Sequence, residues 1–376
     1  MSGSGDEVRI PVSVGSEERE VWVRGPDLDT GAAPDAAALL GYLLAEHTGG
    51  PLLAAEAFSQ TLYGRLPELS EIRLSWWPFL VEPEVLGQSR QDREAPAGLG
   101  RAAFFSCGLD SFYTAIVERD RLDALVFVAG IDVGLRQRDR LGLVTSRARE
   151  ASEELGLELV EIETNLRAVT EPHAHWDRCS EMALAAIGLL LGARFREVLF
   201  ASTTPDRLAV GRRTDVVAVA NDRVRVLRHG GAAGRVDKAR ALAGHRSVQR
   251  HLRVCPASYR GAYNCALCWK CTRTMVNLVL SGTLEEVETL PDEVDLARVA
   301  RLPSVNDGDL AFLTESHEAA CAQGDDDLTR ALETALRRPR WRQQLWRRRS
   351  DAMRSARELG SLVRHRRRPR PRWDEP

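Results

Sequence analysis

The stretch Phe104 to Thr114, FFSCGLDSFYT, passes from an apolar run through a small polar loop into a second apolar segment. That order reads as a strand, a tight loop and a helix N-terminus, where backbone N–H groups and the helix dipole converge on an anion. Phe105, Ser106, Cys107, Gly108, Leu109, Asp110 and Ser111 are therefore the candidate anion-binding residues, with Ser106 and Ser111 adding hydroxyls to the backbone donors.

From Gly100 the chain alternates strand and helix, the signature of an α/β fold with a parallel sheet covered by helices on both faces. The expected strands are Ala102 to Phe105, Ala124 to Ile131, Leu159 to Glu163 and Glu197 to Ala201; the last runs into Ser202-Thr203-Thr204-Pro205. A helix from Asp139 to Leu155 stops at Gly156, a C′ glycine, and a nearly all-apolar helix from Arg178 to Leu191 reads as buried. In such folds the ligand site lies at the carboxyl edge of the strands.

The first 98 residues read as a separate α+β module without a catalytic constellation. Val8 to Val14 and Glu20 to Val23 suggest a hairpin about Gly15 and Ser16, followed by helices at Asp35 to Glu46 and Ala54 to Tyr63. Glu71 to Trp77 is a strand candidate, and Gly87 to Gly100 a linker. The expected organisation is thus a module at 1–98, an α/β domain carrying the loop and the clustered cysteines at 99–285 and a helical, Arg-rich extension at 286–376.

With 52 basic and 54 acidic residues, no global field draws the protein to nucleic acid. The basic residues include only two lysines, Lys238 and Lys270, and both fall in motif-bearing stretches. The start, MSGSGDEVRI, lacks the basic and apolar segments of a secretory signal, and no apolar run is long enough to span a bilayer; the expectation is a cytoplasmic protein without a membrane partner. Seven cysteines in that setting point to metal before disulfide.

Four of them, Cys255, Cys265, Cys268 and Cys271 in VCPASYRGAYNCALCWKC, supply three thiolates on a knuckle and a fourth from an upstream loop. That set suits one closed tetrahedral Zn2+ of structural role, with an iron–sulfur cluster the lesser alternative because no ferredoxin run is present. Lys270 reads first as an offset to the tetrathiolate charge; contact with an anionic substrate or nucleic acid is the alternative. Cys179 and Cys321 read as core thiols, and His173, His175 and Trp176 as loop residues, a His-x-His metal pair being the sharper alternative.

SCGLDS at Ser106 to Ser111 resembles the SGGxDS loop of the PP-loop ATP pyrophosphatases. Its occurrence ahead of a lone cysteine, a spacer and CxxCxxC resembles the 7-cyano-7-deazaguanine synthase family, over Ala102 to Leu280. The resemblance implies a Rossmann-like PP-loop fold that binds ATP with Mg2+, Asp110 helping with the metal and triphosphate and Asp132 contacting the nucleoside. It implies a small-molecule carboxylate substrate, activated as an acyl-adenylate with release of pyrophosphate and then attacked by ammonia or another nucleophile. Cys107 stands where that family has a glycine, the residue that reaches positive φ without strain. It reads as a small residue filling that position; a thiolate activated by the helix N-terminus is the alternative.

A third set, His229-Gly230-Gly231, Arg235 and Lys238, places two cations three apart on a helix after a glycine-rich turn. Aimed at the sheet edge, Arg235 and Lys238 join Asp110 and Ser111 as catalytic candidates, stabilising the α-phosphate and the departing pyrophosphate. The C-terminal stretch RHRRRPRPRWDEP reads as a disordered basic tail that offers a nucleic-acid contact, with Trp341 and Trp346 able to stack. Two further functions stay open: a PP-loop enzyme that thiolates tRNA bases, motivated by that tail, and a non-catalytic nucleotide-binding partner protein, motivated by Cys107. A second copy of the chain is a candidate partner.

Overall fold

The computed structural model describes residues 4–94, 99–203, 206, 219–255, 263–304 and 307–338. Its strands are β1 (Ser4–Val14), β2 (Glu17–Asp29), β3 (Leu52–Leu53), β4 (Phe58–Ser59), β5 (Val85–Leu86), β6 (Ser89–Arg90), β7 (Gly100–Phe104), β8 (Ala124–Ala129), β9 (Glu158–Thr164), β10 (Phe195–Ala201), β11 (Val219–Ala220) and β12 (Arg225–His229). Its helices are α1 (Ala33–Thr48), α2 (Gln60–Trp76), α3 (Leu109–Val117), α4 (Arg138–Leu155), α5 (Leu166–Thr170), α6 (Trp176–Leu189), α7 (Arg235–Ala241), α8 (Arg246–His251), α9 (Trp269–Ser281), α10 (Leu296–Val299), α11 (Asp307–Gln323) and α12 (Asp326–Arg337).

Eight strands form one sheet in the order β1-β2-β9-β8-β7-β10-β12-β11. The middle five are parallel, while β2 joins β9 and β11 joins β12 antiparallel. The sheet is a double-sided wall because side chains alternate across it. Ala102, Phe104, Ala124, Val126, Val198 and Phe200 face a core shared with α1, α2 and α6. Ala103, Phe105, Leu125, Phe127 and Leu199 face a second core with α3, α4, α7, α8 and α9. An α/β architecture with a mainly parallel sheet between helices is thus as expected.

From β7 the chain steps outward through β8 to β9, then crosses to the opposite side for β10 and β12. The order therefore reverses at β7, which makes the carboxyl ends of β7 and β10 the switch point of the sheet, the place where open α/β sheets bind their ligands. Gly156 ends α4 in the left-handed region at φ 67°, as its place after Leu155 anticipated.

The boundary expected near residue 98 is corrected. β1 and β2 extend the same sheet, Thr164 Oγ1 donates to the Trp22 carbonyl at 2.7 Å, and Val8, Ile10, Val21 and Val23 lie in the same core as β7 and β8. The chain divides instead into units 1–294 and 295–376. Within the second unit, Asp325 caps α12 through Leu328 N–H at 3.0 Å and α11 packs on α12. The strand expected at Glu71 to Trp77 is the last part of α2. Ile72, Leu74 and Trp76 alternate in sequence, but Leu62, Leu66, Leu69, Ile72 and Arg73 recur at helical spacing and are buried, and Ser59 Oγ caps the helix through Leu62 N–H. The helix expected from Ala54 accordingly begins only at Gln60. Thr204, Pro205, Trp341, Trp346 and the basic tail from Arg364 to Arg372 lie outside the described residues.

Candidate functional site

The loop after β7 occupies the switch point. Phe105 N–H still pairs with the Val126 carbonyl at 2.8 Å, and its ring meets Phe112 edge-on with centroids 5.0 Å apart, so the Phe105 and Leu109 side chains belong to the core. Only the backbone of these two residues is available to a ligand. Cys107 takes φ 58°, one of three described non-glycine residues at positive φ. The glycine-like conformation expected at that position is therefore adopted by a residue that bears a Cβ, at a cost of about 1 kcal/mol or more.

No side chain caps α3, which begins at Leu109 with Gly108 as its N-cap, so its first N–H groups lack a capping acceptor. A Cβ at Gly108 would come 3.2 Å from Ser106 Oγ, tight enough to press on the loop. Ser111 is held internally: its hydroxyl donates to the Gly108 carbonyl at 3.0 Å and accepts from Ser106 N–H at 3.3 Å. It shapes the cradle. The Cys107 thiol is fully buried, and burial, opposed by Arg253, pushes its pKa up to about 12; a thiolate at neutral pH is not what this environment stabilises.

The expected cations reach the loop. Arg235 Nη2 lies 2.7 Å from Asp110 Oδ2, and Lys238 Nζ lies 3.1 Å from Asp110 Oδ1 and 2.5 Å from the Ser202 carbonyl at the end of β10. Lys238 is buried with a 1% exposed side chain, and desolvation, opposed by Asp110, lowers its pKa. Each Asp110 oxygen faces one cation, so the carboxylate is charge-paired within the protein.

Asp132 lies beyond β8, exposed at its tip, with Oδ2 2.6 Å from Arg253 Nη2. Burial of its surroundings acts to raise its pKa, but Arg253, Lys270 and Arg167 outweigh that and hold it below the ordinary carboxylate range. Arg253, a residue the sequence did not single out, also donates from Nε to the Ser106 carbonyl at 3.0 Å and from its backbone N–H to the Cys107 carbonyl at 2.8 Å. In a chain that uses arginine for nearly every positive charge, one more arginine carries no local signal of its own; only the fold brings residue 253 beneath residue 106.

His229 ends β12. Its Nδ1 lies 3.0 Å from Thr114 Oγ1 and its Nε2 3.2 Å from Glu118, so it fastens β12 to α3 instead of joining Arg235 at the switch point. Gly230 (φ 77°) turns the chain under the Tyr113 ring, 3.2 Å from where a Cβ would stand.

The four expected metal ligands converge. The Sγ atoms of Cys255, Cys265, Cys268 and Cys271 lie within 4.8 Å of one another, with Cys255 to Cys268 at 3.9 Å and Cys265 to Cys271 at 3.8 Å. A ZnS4 tetrahedron with bonds of about 2.3 Å has edges of about 3.8 Å, so the Cys255–Cys268 and Cys265–Cys271 pairs stand at the spacing such a site needs and the quartet is compatible with Zn2+. The knuckle is built by sequence-local bonds: Cys268 N–H points at Cys265 Sγ (3.3 Å) and Cys271 N–H at Cys268 Sγ (3.4 Å), while Ala266 takes φ 53°.

Desolvation lowers the Lys270 pKa, opposed by Asp132 and Asp177, and its Nζ lies 5.6 Å from the Trp269 ring centroid. Arg140 Nη2 donates to the Cys255 carbonyl at 2.7 Å. Cys321 is corrected: it is exposed on α11 with Sγ 3.7 Å from His317 Nε2, whereas Cys179 is a core thiol. His173 and His175 each approach only a single carboxylate, and among the described residues the cysteine quartet is the sole metal-ligand group. No helix among the described residues is long and apolar enough to cross a membrane.

No family profile, curated protein or solved structure matches the chain.

Proposed function

We propose that the protein is an ATP-dependent adenylating enzyme of the PP-loop kind, similar in plan to the 7-cyano-7-deazaguanine synthases, acting on a small-molecule carboxylate. The observation that carries this reading is the convergence, at the switch point of the sheet, of the SCGLDS loop with Arg235 and Lys238.

In this reading the N–H groups of Cys107 to Ser111 receive the pyrophosphate end of ATP, and Asp132 takes a nucleoside hydroxyl. Arg235 and Lys238 would turn from Asp110 to phosphate oxygens, and Asp110 is the residue that would help hold Mg2+, whose charge would offset that of the phosphates. A substrate carboxylate oxygen attacks the α-phosphorus as the bond to pyrophosphate breaks. The two cations offset the charge gathering on the leaving group, the preorganised electrostatics that such transfers need. Ammonia or another nucleophile then attacks the acyl carbon and AMP departs. The quartet, if loaded with Zn2+, has a closed shell and serves structure.

The left-handed Cys107 favours this reading over a degenerate nucleotide partner, since the loop keeps its glycine-like path without glycine. The decisive assay is carboxylate-dependent exchange of labelled pyrophosphate into ATP, with AMP and pyrophosphate release measured over a panel of small carboxylates. Exchange that Asp110→Ala reduces by about a hundredfold or more is expected of a group acting in the transition state. ATP that neither binds nor exchanges with any carboxylate, or an Asp110→Ala protein of full activity, overturns it.

A further inference from the structure

The phosphate loop and the cysteine quartet share one segment, residues 252–255. Arg253 is 4% exposed in its side chain and serves the loop twice, from its backbone N–H to Cys107 O and from Nε to Ser106 O, and reaches Asp132 beyond β8 from Nη2. In a trans peptide the C=O of one residue and the N–H of the next point in opposite directions. Holding the carbonyls of Ser106 and Cys107 therefore turns the N–H groups of Cys107 and Gly108 the other way, off the Arg253 side. Cys107 stands in the left-handed region at φ 58° and Gly108 is extended at φ −79°, ψ 160°, so the chain turns sharply between them at the start of α3.

Arg253 is in turn held from the metal side. Asn264, the neighbour of ligand Cys265, spends its amide on both flanks of Arg253. Its Oδ1 accepts from Val254 N–H (2.8 Å) and Cys255 N–H (3.2 Å), and its Nδ2 donates to Leu252 O (2.8 Å) and Thr289 Oγ1 (3.1 Å). Arg140 closes the other side on Cys255 O. We propose that Arg253 and Asn264 form a strut through which the metal-loaded quartet fixes the Ser106–Gly108 peptides in their anion-receiving orientation. Arg253 is thus a positioning residue for the loop, and the metal a precondition of its geometry. The nucleotide readout below rests on the proposed function; the exchange readout does not.

The test is hydrogen exchange on the full-length, zinc-loaded protein and on the same protein after chelation, read over peptides covering 104–113, 263–272 and, as a control for unfolding, 4–29. Zinc withdrawal is expected to speed exchange in 104–113 by about tenfold or more, the worth of one charge-assisted hydrogen bond, with 4–29 unchanged. Arg253→Met is expected to do the same with metal bound, its intact thiolate site shown by the charge-transfer spectrum of the Co2+-substituted protein. Arg253→Lys, a single ammonium in place of a fork, is expected to fall between. If chelation unfolds the whole chain, Arg253→Met and Asn264→Ala in the metal-loaded protein decide the matter. Unchanged exchange in 104–113 in Arg253→Met, or after zinc withdrawal that deprotects 263–272, overturns the strut. Calorimetry with ATP is expected to show about tenfold weaker binding to Arg253→Met. Failure of the intact protein to bind ATP counts against the proposed function, and the exchange result still settles the strut.

Discussion

Cys107 holds the most demanding backbone position of the site. In Cys107→Gly, relief of the left-handed strain (about 1 kcal/mol) opposes loss of a buried side chain of similar worth, so a melting shift within a few degrees is expected. Cys107→Val, β-branched in the same conformation, should lose about 2 kcal/mol or more in denaturant titration. Alkylation of the native protein at pH 8, followed by mass spectrometry, should label exposed Cys321 and spare Cys107. Lys238 behaves differently. Lys238→Met removes the Nζ bond to the Ser202 carbonyl and leaves Asp110 with Arg235 alone of this cation pair, and should cost about 2–4 kcal/mol in urea unfolding, more than a surface lysine would. Cys107 was legible as a misfit because the SGGxDS pattern that SCGLDS resembles has glycine there, whereas Arg253 was invisible because its partners lie 121 to 147 residues away.

At the scale of elements, two junctions carry the site. The first is β12 to α3 through His229. Burial, opposed by Glu118, lowers the His229 pKa, so the folded state keeps the ring neutral while the unfolded chain protonates near 6.5. The unfolded state then binds more protons, so this contribution is complete above about pH 6.5 and is lost as pH falls toward the depressed folded value. Denaturant midpoints measured from pH 7.5 to 5 should fall, and His229→Gln should flatten part of that fall. The second junction is the start of α9, where Cys268 is both the N-cap and one of the four thiols that could hold a metal ion. Cys268→Ser should lower bound zinc well below one equivalent by metal analysis and fray the first turn of α9, seen as lost protection in 263–272. The β7–loop–α3 unit and the long α4 were readable because periodicity and terminators agree there. α2 was misread where Ile72, Leu74 and Trp76 mimic a strand, and helical burial of Leu62, Leu66 and Leu69 overrode that local pattern.

At the scale of the whole molecule, the first 98 residues are part of the sheet. β2 covers the β9 edge through Val23 to Thr164 and Arg24 to Glu163, and Asn165 bonds back to the Trp22 N–H at 2.9 Å. A chain starting at Leu99 should therefore expose both the β9 edge and the apolar face that α1 covers. Its elution on size exclusion is expected as aggregate rather than monomer; a monodisperse, cooperatively melting fragment would contradict this account. Buried ion pairs reinforce the union: Arg93 lies 3.1 Å from Asp29 and 2.8 Å from Asp222, fastening the segment after β6 to the end of β2 and to the β11–β12 turn.

The sequence by itself determined the strand–loop–helix unit, the alternating α/β rhythm and the cysteine quartet, because each is written in short-range spacing that local geometry must obey. The tertiary structure alone decided which strands are neighbours and that the first module is one with the sheet. It also decided which cations close on Asp110 and that Arg253, two residues before Cys255, bonds to the Ser106 and Cys107 carbonyls. Those are contacts between residues tens to hundreds of positions apart, chosen by burial of the whole core, and no local pattern encodes them.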